Sequence, residues 1–164
     1  MPIIATDIHY RLSGGAANTD PNASLGGAKS SAAMPSSIFD DVPSAEATAG
    51  SVEYRCIYIH NAHEDLTMLA PRIWMQENTP SATTTIELGV GTSAVDGTEQ
   101  TIANEKTAPV GVDFSAPSDF SAGLELSDIP PGEHRAVWLR RTVDADTAAV
   151  LDTALIRVQC DTNP

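Results

Sequence analysis

The residues of this chain that could do chemistry are four histidines, two cysteines, a set of acidic loops and three arginines on one run. His60 and His63 flank a turn that continues into Glu64 and Asp65; His9 and His134 lie far away in sequence. A metal needs three or four converging ligands and a dry surround. Three donors in a single loop fall short of that, and a solvated turn is the expectation. Asp144, Asp146 and Asp152 could offer oxygens to Ca²⁺, but the spacing lacks the EF-hand glycine and the bidentate glutamate at the end of the loop. Gly26-Gly27-Ala28-Lys29-Ser30 has the composition of a phosphate loop, yet the lysine does not directly follow the second glycine and no strand-then-helix context surrounds it. No Gly-x-Ser-x-Gly elbow occurs, and no serine or cysteine has an obvious His/Asp set. Cys56 and Cys160 sit in strand patterns and read as small hydrophobes; a disulfide between them would need an oxidising phase. The sequence therefore leads us to expect no enzyme, no cofactor and no resident metal.

What remains is recognition by surface. Arg135, Arg140 and Arg141 place three of the nine basic residues on one strand. They read either as rim charges paired with surface acids or as a docking surface for an acidic partner, a task that suits the planar guanidinium. Ile38 and Phe39 stand as an apolar anchor within a polar stretch. These five residues, Ile38, Phe39, Arg135, Arg140 and Arg141, are the candidate partner-binding positions.

The elements that must position them are β-strands. The run Ile129-Pro130-Pro131-Gly132 makes a rigid turn, and a long strand pattern follows to Val143. Ala136, Trp138, Arg140 and Thr142 point one way, Val137, Leu139, Arg141 and Val143 the other. Apolar side chains on both faces at 136–139 mark a central strand covered on both sides. Strands are also expected over 8–12, 53–60, 69–75, 84–90 and 154–160, with short pieces at 112–114 and 124–126. Ser44 is expected to cap a helical turn. Roughly seven or eight strands in ~110 residues, with frequent turns, predict an all-β fold: an immunoglobulin-like antiparallel β-sandwich over residues 51–164. Cys56, Trp74 and Cys160 loosely imitate the Cys…Trp…Cys order of antibody domains. Residues 1–50 are glycine- and serine-rich beyond Leu12, and they predict an extended N-terminal arm that orders only against a partner.

Twenty-two acidic residues against nine basic give a formal charge of −13, which opposes binding to nucleic acid or to an anionic membrane. No apolar run approaches the ~18 residues that would span a bilayer, and Met1 to Asp7 lacks a basic n-region. Synthesis in a cytoplasm is the expectation.

Several stretches carry a family likeness. Arg11-Leu12-Ser13-Gly14-Gly15-Ala16-Ala17-Asn18 and Asp20-Pro21-Asn22-Ala23-Ser24-Leu25-Gly26-Gly27 resemble the start of small virion proteins of tailed bacteriophages. So do Phe39-Asp40-Asp41-Val42, Glu53 to Tyr58, Gly91-Thr92-Ser93, Gly97-Thr98-Glu99-Gln100 and Trp138 to Thr142. The resemblance implies a structural part of the virion, first a capsid decoration (cement) protein, next a tail, neck or baseplate component. It implies the major capsid protein or other virion proteins as partners, together with further copies of itself. A host-surface or carbohydrate-binding module is a separate reading; it would use Trp74 and Tyr58 as exposed stacking platforms.

Overall fold

A computed structural model describes residues 2–148 and 152–162. Among these residues seven strands form two antiparallel sheets: β1 (Ile8–Leu12), β2 (Ser51–Asn61), β3 (Met68–Glu77), β4 (Thr84–Val90), β5 (Leu124–Glu125), β6 (His134–Val143) and β7 (Leu155–Thr162). The first sheet has the order β1-β2-β6-β4 and the second β5-β3-β7. Among the described residues one short α-helix, α1 (Ser44–Ala49), leads into β2. Ser44 is its first residue rather than its cap: Pro43 holds the cap position without a side-chain hydrogen bond.

The period-2 pattern sorts each strand onto two faces. Ile57 and Ile59 of β2 join Val137 and Leu139 of β6, Leu88 of β4, and Met68, Ile73 and Met75 of β3 in the core between the sheets. Ala154, Ile156, Val158 and Cys160 alternate inward and all reach this core, while Leu155 is 51% exposed. A second, smaller core lies on the far side of the first sheet. There Tyr54, Cys56, Tyr58, Ala136 and Trp138 are buried beneath Leu25, Ile102, Val112 and Phe114. β6 is thus covered on both faces, as its apolar run requires. Each fully buried large aliphatic side chain, such as Leu88, contributes about 1.5–3 kcal/mol.

The N-terminal segment is no extended arm. β1 pairs with the second half of β2, from Ile8 opposite Asn61 to Leu12 opposite Ile57. Beyond Leu12 the chain turns over the outer face of the sheet, where Cys56 N donates to Ser24 O and Ile102 N to Leu25 O. Residues 30–34 return along the outer edge of β1. The physical reason lies in the small side chains. Serines and glycines leave room for the backbone to approach the sheet, and the hydroxyls of Ser13, Ser24 and Ser30 satisfy the polar groups that this buries. Low apolar content is therefore offset by hydrogen bonding, and the sandwich begins at residue 8 rather than 51.

Candidate functional site

Each candidate partner-binding residue has an internal partner. Ile38 is 9% exposed and belongs to the core between the sheets. Phe39 is half-buried beside two guanidiniums, with Arg55 5.3 Å and Arg141 4.9 Å from its ring centre. Arg141, on the inner face of β6, donates to the Asp40 carbonyl at 2.5 Å and to the Glu53 carboxylate, and it is 7% exposed. Arg140, on the opposite face, binds Glu87 at 2.7 Å through Nε and lies 4.8 Å over Phe114. Arg135 donates to Gly91 O at 3.1 Å, and burial lowers its pKa. The alternation read from the sequence sorted these arginines onto the right faces. It could not show that loops would come back to cover them.

The most concentrated polar cluster joins five parts of the chain. Arg55, fully buried in β2, bridges Glu105 at 2.7 Å, Asn22 Oδ1 at 3.0 Å and Asp40 at 3.8 Å. Arg141 completes the group with Asp40 and Glu53. Carboxylate oxygens of Asp40, Glu53 and Glu105 lie within 4.8 Å of one another. Among the described residues this is the one grouping of three ligand-type side chains. Three carboxylates against two guanidiniums leave one negative charge uncompensated. Burial raises the Glu53 carboxyl above its ordinary value, and the adjacent Arg141 works against that rise. Neither His60–Asp65 nor the Asp144, Asp146 and Asp152 set converges in this way. The network works as a clamp: it fastens residues 22 and 39–40 and the loop at 105 to the ends of β2 and β6. The sequence did hold a signal for it. Glu53 and Arg55 share the face of Ile57 and Ile59, so two charges stood at inward positions.

A second polar knot fixes the outer layer. Tyr58 donates to Gly27 O at 2.6 Å and accepts from Glu99 N at 2.9 Å. Burial would raise the Glu99 carboxyl, but Ser93 N at 2.8 Å and Thr92 Oγ1 at 3.0 Å hold it down at about 2. Burial pushes the Tyr58 hydroxyl up to about 12.

Three histidines form a row across the first sheet. His9 stands opposite His60, and His60 opposite His134. The rings of His9 and His60 are 5.8 Å apart, and Arg11 lies 2.7 Å from His9 Nδ1. Burial, followed by the charges of Lys29 and Arg11, lowers His60 to about 4. Burial also lowers His134, against the pull of Asp96 2.9 Å away. An open groove of about 500 Å³ runs past His9, Arg11, His60, His63 and Gly132. His63 uses Nδ1 to accept from the N–H groups of Asp65 and Leu66, which makes it a turn-forming residue.

The two rings proposed as stacking platforms are both buried. Tyr58 is 0% exposed, and Trp74 is 7% exposed under an edge-on Phe120. The cysteines are unpaired and lie apart. Cys56 belongs to the outer-face core, and Cys160 packs against the core between the sheets, so the antibody-like imitation ends there. No family model matches the chain, and no curated protein or solved structure is detectably similar to it.

Proposed function

We propose that this protein is a structural component of a tailed-phage particle, foremost a capsid decoration protein that stabilises the head shell by surface contact. One observation carries the reading: the buried charged and hydroxyl side chains are committed to fastening the chain to itself. Arg55, Arg141, Glu53, Glu99, Tyr58 and the buried serines each hold one segment against another. The product is an acidic surface built from rigidly held loops, with isolated apolar tips such as Val110, 80% exposed. Such a surface suits many-copy contact with a shell, where weak contacts multiply. The charge of −13, which disfavours nucleic acid, fits the same reading. The partners are then the major capsid protein and neighbouring copies, and the location is the virion.

In this reading the sandwich is immunoglobulin-like in the broad sense of two packed antiparallel sheets. Its orders β1-β2-β6-β4 and β5-β3-β7 depart from the ABED and CFG arrangement of constant-type domains. Attachment uses the folded outer layer of residues 13–29 and 92–115 rather than a free arm. The carbohydrate-platform reading loses its two rings to burial. Immunogold labelling of particles from a lysate whose phage genome encodes this chain tests the proposal. Label in regular positions on heads is expected. Label confined to tails moves the protein to the tail, and unlabelled particles overturn the proposal.

A further inference from the structure

Sheet edges carry unpaired N–H and C=O groups and must be covered or used. Three of the four edges here are managed. β1 is bonded along its outer side by residues 30–34, through Ser30 N to Leu12 O at 2.8 Å and Met34 N to Tyr10 O at 2.9 Å. β4 exchanges two bonds with Ser115, at 2.7 and 2.9 Å. β5 is only two residues long. β7 is different. It is eight residues long and pairs on one side with β3. On its other side Val158 N donates to the Tyr10 hydroxyl at 3.1 Å, and no other backbone bond among the described residues reaches that edge. Because Val158 N–H points away from β3, antiparallel alternation turns the N–H and C=O groups of Ile156, Cys160 and Thr162 the same way.

The side chains of β7 match themselves in reverse. Arg157, Gln159 and Asp161 share the exposed outer face, with Gln159 in the middle. Arg157 makes no ion pair with any described residue, although the chain has 22 acids for nine bases. We propose that β7 is a homodimerisation edge, on which two copies pair antiparallel about a two-fold axis through Gln159. In that register Arg157 of each copy stands opposite Asp161 of the other, giving two ion pairs on the outer face. Val158 stands opposite Cys160 and extends the apolar inner face. Moving the axis by one residue, to Val158 or Cys160, leaves both charges opposite uncharged groups. The carbonyl of Cys160 in the second copy takes the place of the Tyr10 hydroxyl on Val158 N–H. A C2 interface requires such a self-complementary patch. The pairing goes beyond the virion reading and holds whether or not the protein sits on a particle.

Charge exchange tests it. Sedimentation equilibrium of the full chain over roughly 10 µM to 1 mM covers weak association. The parent chain should dimerise, and Arg157→Asp or Asp161→Arg alone should weaken dimerisation about ten-fold or more, because like charges then stand opposite. Mixing the two variants should restore dimers, since the mixed pair again sets an acid opposite a base at both crossing points. Both positions are exposed, so the fold is not at stake. Gln159→Cys in a Cys160→Ser background should form an intermolecular disulfide on mild oxidation, because non-hydrogen-bonded antiparallel neighbours approach closely enough to bridge. Ser118→Cys in the same background should not. A parent chain that stays monomeric throughout, or a mixture that associates no better than either variant alone, overturns the proposal.

Discussion

Replacing Arg55 with Met tests the clamp at its centre. The side chain is fully buried and binds Glu105, Asn22, Asp40 and the Tyr54 carbonyl, and it covers one face of Phe39. Met fills much of the volume, so the loss is electrostatic. Glu53, Asp40 and Glu105 are left with Arg141 alone, and the site goes from one uncompensated negative charge to two. Breaking a buried pair from one side costs about 3–5 kcal/mol. The lower end applies, because Asp40 is 54% and Glu105 31% exposed and water can take up part of the charge. We expect a loss of about 3 kcal/mol, or a fall in Tm of roughly 6–12 °C for a domain of this size. Urea unfolding followed by tryptophan fluorescence, with Lys106→Met as the control, measures it. Lys106 is 59% exposed in its pair with Glu46, and such surface pairs contribute ~0–1 kcal/mol. Arg55→Met, Glu105→Gln should recover part of the loss. If Arg55→Met costs no more than Lys106→Met, the clamp reasoning is wrong.

Three further outcomes follow from the geometry. His60 has a folded pKa of about 4, below the ordinary value near 6.5, so the unfolded chain takes up the proton first. Its contribution is complete above about pH 6.5 and is lost as the pH falls towards 4, by about 1–2 kcal/mol after discounting for solvent screening. The difference between wild type and His60→Asn in urea unfolding at pH 7.5, 5.5 and 4.5 should show that slope, and parallel curves would refute it. Gly26→Ala should destabilise by about 2 kcal/mol or more, because φ is +93° and a Cβ would lie 1.8 Å from the Gln100 carbonyl oxygen. Gly15→Ala, at φ +109° with open space around it, should cost only about 1 kcal/mol in the same unfolding assay. Cys56 is fully buried with its thiol pKa pushed up by burial, so a thiol reagent should label Cys160 first and Cys56 only in denaturant. Labelling of both at equal rates in the native protein would contradict the outer layer.

The strands were legible because their signal is local. Alternation at 53–60, 84–90 and 134–143 gave the element and the faces, and the double-sided apolar run at 136–139 gave the central position of β6. The outer layer was not legible, because its stability does not come from apolar periodicity. Ser13, Ser24 and Ser30 look like linker residues in sequence, yet all three are fully buried by contacts made across the fold. Serines bonded to Cys56 O from 43 and 32 residues away leave no local pattern. For the same reason the sequence could read Arg140 and Arg141 as rim charges or as a docking surface without naming their partners. Their partners, Glu87 and Glu53, lie 53 and 88 residues away, and Asp40 lies 101 away.

Native-state hydrogen exchange over residues 8–34 tests most directly whether the N-terminal segment is built into the sandwich. Peptides covering Leu12, Gly27, Ser30 and Met34, whose amides donate to Ala32, Glu99, Leu12 and Tyr10, should be protected to the same order as β2 and β6. Exchange of that segment at unstructured-chain rates, with the strands protected, would show a free arm and contradict the account.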